Sequence, residues 1–322
     1  MSLPCACASL AVMMTRREWK RQTLGLLAGT EAPAWAAELL LCHVLGLERP
    51  ALIAHDSEVL REDEEARLNG LRERRLRGEP LAYLLGHREF YGRSMEVNRS
   101  TLIPRPETED LVNAALDAFD AASAVRFLDI GTGSGCIAVT LAAERPLWSG
   151  AAVDISEEAL AVAWRNARRW AVAERLAFLK GDVTEVLPFE AESFDLIVSN
   201  PPYVTEDEYA RLAPEVRDFE PRTALAAGPS GLTLASAVVG AARRLLKPGG
   251  RLFMEHGWLQ GGACRSLCEA QDWEDVRTGR DLAGRDRFLS TVRKSRPETQ
   301  RPRSRGPEAE NRQPAGARAE GV

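Results

Sequence analysis

From residue 125 onward the chain alternates short apolar runs with longer stretches of helical period, and this alternation constrains the fold more than any single motif. The runs are VRFLDIG, SGAAVDIS, LAFLKGD, FDLIVSN and GRLFMEHG, separated by stretches such as EEALAVAWRNARRWAV and GLTLASAVVGAARRLL. Short apolar runs read as buried strands. Strands that alternate with helices predict an α/β fold, a mainly parallel sheet with helices on both faces. Two further runs, WEDVRT and RFLSTVRK joined by GRDLAGRD, predict a terminal strand pair.

The preceding chain has a different character. Residues 15–87 are helical in pattern, with APAWAAELLLCHVLGL rich in Ala and Leu, and with Leu68, Leu71 and Leu76 at helix-like spacing. With no Gly-rich loop or polar constellation, this region reads as a small helical domain. Residues 88–104 read as a connector with a hairpin, and 105–294 as the main domain, opening with a helix whose first position suits Pro106. Glu107, Glu109 and Asp110 then lie in its positive first turn. Residues 1–14 carry no basic leader and are too short to span a membrane, so they are expected to be frayed or untranslated. Residues 295–322 have almost nothing to bury and are expected to be disordered.

Composition narrows the function classes. The 322 residues are 45% hydrophobic and 28% charged with a net charge of −5, so no global field attracts nucleic acid. The basic run LRERRLRG at 71–78 reads as a solvated helix face. Six cysteines and four histidines form no set with metal-ligand spacing, so no metal is expected and the thiols read as reduced, in a cytoplasmic protein.

LDIGTGSGC places Gly131, Gly133 and Gly135 at a strand-to-helix turn, where backbone can approach a ligand closely and a helix N-terminus favours a negative group. Nicotinamide, flavin and S-adenosylmethionine sites all use such a turn. The dinucleotide fingerprint wants its third glycine three residues after the second, yet that position is Cys136. Asp154, ending the next strand, suits a pair of ribose hydroxyls, a device shared with nicotinamide sites. Asp182, ending the third, suits an adenine amino group, and Val183 suits the ring face. Arg105 in IPRPETE is a candidate for the substrate entrance.

In order along the chain, DIGTGSG, VDIS, GDV and NPPY resemble class I S-adenosylmethionine-dependent methyltransferases. More narrowly, GEPLAYLLGHREFYG, TLIPRPETE, VSNPPYV, FEPRTAL, LLKPGGRLFMEHGW and RDLAGRDRF resemble the bacterial release-factor glutamine methyltransferases, the PrmC or HemK family, from about residue 15 to 293. The resemblance implies a Rossmann-like seven-stranded sheet and a helical domain that docks the substrate. It implies that Asp129, Gly131, Thr132, Gly133, Ser134, Gly135, Asp154, Asp182, Val183 and Asn200 hold S-adenosylmethionine, with S-adenosylhomocysteine as product. The implied reaction is N5-methylation of the glutamine of the Gly-Gly-Gln motif in class 1 peptide-chain release factors. No membrane or direct nucleic-acid partner is expected, and the protein is expected to be a monomer.

The chemistry gives Asn200, Pro201, Pro202 and Tyr203 their expected catalytic and substrate-binding roles. An amide nitrogen is a poor nucleophile because its lone pair is delocalised into the carbonyl. Acceptors for both of its N–H protons leave the lone-pair direction facing the methyl group. Asn200 offers a side-chain carbonyl and Pro201 a backbone carbonyl, held stiff by the Pro201–Pro202 pair, and Tyr203 can lie against the planar group. Holding nucleophile, methyl carbon and sulfur in line supplies about 7–11 kcal/mol of barrier lowering. Exocyclic amines of adenine or guanine suit the same geometry on a flipped base. A non-catalytic binder of S-adenosylmethionine and a nicotinamide oxidoreductase are the readings from other classes.

Overall fold

The computed structural model describes residues 13–30 and 32–295. The expectations for residues 1–12 and 296–322 lie outside them.

Five helices come first: α1 (Arg16–Leu26), α2 (Pro33–Leu45), α3 (Arg49–Ala54), α4 (Glu62–Leu76) and α5 (Leu81–Leu85). Thr15 starts α1 through a reciprocal cap, its hydroxyl accepting from the Glu18 amide while the Glu18 carboxylate accepts from the Thr15 amide. Trp19, Leu40, Leu41, Leu52, Leu68 and Leu84 meet in a core of their own. Leu68, Leu71 and Leu76 all fall in α4, as their spacing predicts. Leu76 sits in the last turn of α4, five residues beyond Leu71, and is 45% exposed.

A hairpin follows, β1 (His87–Phe90) paired antiparallel with β2 (Arg93–Glu96). Its two turn residues, Tyr91 and Gly92, both have positive φ (52° and 67°), as a turn matched to the strand twist requires. Helix α6 runs over Glu107–Asp117, one residue after Pro106, which takes the cap position with helical dihedrals.

The main sheet contains β3 (Arg126–Ile130), β4 (Ser149–Asp154), β5 (Leu176–Lys180), β6 (Phe194–Ser199), β7 (Leu246–Glu255), β8 (Trp273–Arg280) and β9 (Asp286–Arg293). Their order is β5-β4-β3-β6-β7-β9-β8. The first five are parallel, and β9 runs antiparallel between β7 and β8. The intervening helices are α7 (Cys136–Glu144), α8 (Glu157–Arg169), the short α9 (Glu206–Tyr209) and α10 (Pro214–Arg217), α11 (Thr233–Leu245) and α12 (Gly261–Ser266).

Side chains alternate across a strand, so each strand feeds two cores. Phe127, Leu196, Val198 and Phe253 point to one face, where Leu111 and Val112 of α6 and Ile137 and Leu141 of α7 cover them. Leu128, Ile197, Leu252 and Met254 point to the other, beneath Ala235, Val238, Val239 and Ala242 of α11. These α11 positions recur at helical spacing, and each valine buried there contributes about 1.5–3 kcal/mol. Leaving β3 the chain builds outward through β4 and β5, then returns to the other side of β3 as β6. Ligand crevices form at such a switch, outside the carboxyl ends of the strands.

Candidate active site

A cavity of about 340 Å³ opens at this switch point, lined by segments that follow four neighbouring strands. Gly131, Thr132, Gly133 and Ser134 come from the turn after β3, Asp154 from the end of β4, Asp182 and Val183 from beyond β5, and Asn200, Pro201 and Pro202 from beyond β6. The sequence thus placed on one wall residues spread over seventy positions.

The glycine turn is shaped by what lies beneath it. Gly131, Gly133 and Gly135 have φ of 74°, 55° and 79°. No atom beyond the adjoining residues lies within 4 Å of the site a Cβ would take at Gly131 or Gly133, so the backbone is open to a ligand there. A Cβ on Gly135 would lie 2.9 Å from that of Ala163, so this glycine instead lets α8 pack against the turn. Asp129 is fully buried and does not line the cavity. Its Oδ2 accepts from the Thr132 hydroxyl at 2.7 Å and from the Ala138 amide in the first turn of α7 at 3.2 Å. It caps that helix and fixes the turn. Asp129 and Gly135 therefore lie beneath the cavity-lining part of the turn, Asp129 because strand pleating sends its side chain inward.

Asp154 is half-buried at the cavity wall, its two oxygens accepting from the Gly133 amide (2.8 Å) and the Ser156 amide (2.9 Å). Burial raises its pKa above the ordinary carboxylate value, against these amide contacts. Asp182 Oδ1 accepts from the amide and hydroxyl of Thr184 at 2.8 and 2.7 Å, which fixes the carboxyl at the cavity wall. Val183 packs against the core beneath the sheet while exposing one side to the cavity. Two buried oxygens near the turn, Asp129 Oδ1 and Ser134 Oγ, have no partner among the described residues. Open glycines, a carboxylate pair and a polar turn fit the amino-acid, ribose and adenine portions of S-adenosylmethionine.

At the other end, Asn200 stands between the cavity and a side pocket of about 50 Å³ lined by Leu102, Arg105, Tyr203 and Ala224. Its Nδ2 donates to the Thr108 hydroxyl at 3.3 Å, which leaves Oδ1 available as an acceptor. The Thr108 hydroxyl donates to Glu255 Oε2 at 2.7 Å, and the Tyr203 hydroxyl donates to Glu255 Oε1 at 3.3 Å. The Tyr203 carbonyl accepts from Gln260 at 2.9 Å, while Gln260 Oε1 accepts from the Gly257 amide. Pro201 is buried and Pro202 half-buried, so the turn is braced on every side.

Arg105 lines both spaces, but its guanidinium is engaged by Glu220, whose carboxylate also accepts from the Ile103 amide at 3.1 Å. That buried acid tethers FEPRTAL to the start of the main domain, and Pro221, Thr223 and Ala224 of the same loop roof the cavity. The helical domain reaches this region too, through the Arg75–Glu215 ion pair at 2.9 Å. Glu107 is exposed and lines neither space. Phe90 packs in the core, and Tyr91 bonds to Asn113 and Glu109. Sequence reasoning missed Thr108, which lay unmarked inside TLIPRPETE, Glu220 inside FEPRTAL, and Glu255 at the end of GRLFMEHG.

Fold and cavity together define a class I methyltransferase. A family model described as the PrmC N-terminal domain matches residues 18–86, and one described as a methyltransferase domain matches 121–287. The release factor glutamine methyltransferase of Nitratidesulfovibrio vulgaris is 50% identical over 264 residues, covering 81% of this chain and 89% of the relative. That of Bordetella pertussis is 45% identical over 263 residues, covering 82% and 96%. The hMettl16 catalytic domain, solved in complex with the MAT2A 3′UTR hairpin 1, superimposes with a TM-score of 0.54 at 16% identity, over 79% of this chain and 90% of that one, a likeness of fold alone. The chain belongs to the release factor glutamine methyltransferase family. Among the described residues, no helix is long and apolar enough to cross a membrane, and no cluster of three His, Cys, Asp or Glu side chains is placed to hold a metal.

Proposed function

We infer that the protein transfers a methyl group from S-adenosylmethionine to N5 of the glutamine in the Gly-Gly-Gln motif of class 1 release factors. The observation that carries this reading is the setting of Asn200, with its carboxamide amino end engaged by Thr108 and its carbonyl end free at the wall shared by two spaces. The larger space suits the cofactor, which supplies an electrophilic methyl group on a sulfonium. The smaller one suits a planar amide.

Asn200 Oδ1, which borders both spaces, accepts from one N–H of the substrate amide, the Pro201 carbonyl, on the larger space, accepts from the other, and Tyr203 in the smaller one bounds its plane. The asparagine thus positions the nitrogen and stabilises the charge that grows on it. No base is needed, since methyl transfer leaves a cationic amide nitrogen that is a strong acid and gives its extra proton to water. Gly131, Thr132, Gly133 and Ser134 receive the amino-acid end of the cofactor, Asp154 its ribose, and Asp182 and Val183 its adenine, with Asp129 and Gly135 holding the turn from below. The helical domain docks the release factor, and the working unit is a cytoplasmic monomer that forms S-adenosylhomocysteine without a metal.

The test uses S-adenosylmethionine labelled in its methyl group, offered with a folded release factor, with RNA and with DNA. Label in the release factor at a rate insensitive to added nucleic acid is expected. Label in nucleic acid alone, with a steep salt dependence, would replace the reading with base methylation.

A further inference from the structure

Glu255 is 1% exposed at the end of β7, beside the strand that delivers Asn200, since Met254 pairs with Ser199 in the sheet. An ionised carboxylate only accepts hydrogen bonds, so the Thr108 and Tyr203 hydroxyls that reach it must both donate. The Thr108 hydroxyl has one proton, and Glu255 takes it. Toward Asn200 its oxygen can only accept, and it does so from Nδ2. The carboxamide then has a single favoured orientation, with its carbonyl toward the slot.

We propose that Glu255 and Thr108 are positioning residues that set which end of the Asn200 carboxamide meets the substrate amide, a role that rests on the function proposed above. Were the carboxamide reversed, its amino group would face the amino group of the substrate, and donor would oppose donor. Protonating Glu255 removes the constraint, because the Thr108 hydroxyl is then free to donate toward Asn200 instead.

The groups around Glu255 set when that happens. Burial pushes its carboxyl up to about 7, opposed by the Thr108 hydrogen bond, by Arg287 of β9 and by the Tyr203 hydroxyl, while Glu107 of α6 pushes the same way as burial. The adjacent His256 Nδ1 lies 2.9 Å from the Gly257 carbonyl, and burial lowers its pKa. With Glu255 ionised at high pH and protonated at low pH, turnover falls on the acid side of about pH 7.

Four variants test this. Glu255→Gln and Thr108→Val are expected to lower kcat about 10- to 100-fold, the scale of a small misplacement of a reacting group. KM and the Kd for S-adenosylmethionine should stay within about twofold, whereas Thr108→Ser, which keeps the hydroxyl, restores kcat. The acid limb of the pH profile should be missing in Glu255→Gln. The Asn200 side-chain NH₂ resonances, assigned by their loss in Asn200→Ala, should titrate near pH 7 in the native protein and stay fixed in Glu255→Gln. That signal needs no substrate. If it titrates while release factor goes unmethylated, the relay stands and the substrate reading fails. Resonances that ignore pH, an unchanged kcat in Thr108→Val, or a serine variant as slow as the valine one would overturn the relay.

Discussion

Replacing Asn200 with alanine separates catalysis from binding. The side chain is half-buried and makes one hydrogen bond to a neutral partner, Thr108, so its loss costs about 0.5–1.5 kcal/mol of stability. Its proposed contribution to turnover is larger. Removing one preorganised hydrogen-bonding group at a centre of developing charge costs about 2.7–4 kcal/mol, or 10²–10³ in kcat. Because this contact strengthens as the amide nitrogen becomes cationic, the loss falls on kcat rather than on ground-state affinity. Single-turnover kinetics would give the chemical step, titration calorimetry the affinity for S-adenosylmethionine, and a melting curve the folded fraction. A fall in cofactor affinity that accounts for the whole loss of rate would refute the reasoning, and so would a kcat within a few-fold of the native value.

Asp154→Ala should do the reverse. Loss of charge-assisted hydrogen bonds worth about 1.5–3 kcal/mol should weaken S-adenosylmethionine binding by calorimetry, with kcat at saturation changed much less; an unchanged Kd would remove Asp154 from the site. Gly135→Ala forces a left-handed residue, costing about 1–2 kcal/mol. Its new Cβ, 2.9 Å from Ala163, adds about 1–3 kcal/mol of overpacking, and urea denaturation measures the sum. Asp129 gives a pH signature. Burial pushes its carboxyl up to about 7, so the folded state holds a proton that the unfolded chain, with a carboxylate pKa of about 3.9, has released. Its contribution is complete at low pH and is lost between about pH 4 and 7. Relative to the native protein, Asp129→Asn should therefore gain stability as pH rises through that window, and a difference in melting temperature that is flat or falls would contradict the assignment.

The main domain was legible because the central strands, such as β3 and β6, carry contiguous apolar runs and each functional turn is local. Gly131 to Gly135 form a turn with glycines where φ must be positive, and the prolines after Asn200 can only end a strand. The supports were not legible, for the same reason in reverse. Thr108 meets Glu255 across 147 residues, and Glu220 meets Arg105 across 115. Nothing in either local pattern requires the partner, and a threonine in a helix's first turn or an acid at the end of an apolar run has commoner fates. Asp129, expected at the cofactor from the resemblance, has a fully buried side chain whose Oδ2 is taken by the Thr132 hydroxyl and the Ala138 amide, partners that its place in the motif does not announce.

In the proposed reaction Asn200 and its braced turn present acceptors to a glutamine amide of a release factor. Tandem mass spectrometry of a purified class 1 release factor, after incubation with the protein and S-adenosylmethionine, tests it most directly. One added methyl group on the glutamine of Gly-Gly-Gln, lost when Asn200→Ala replaces the native protein, is the predicted result. A methyl group on another residue, or one that the alanine variant adds at the native rate, would contradict it.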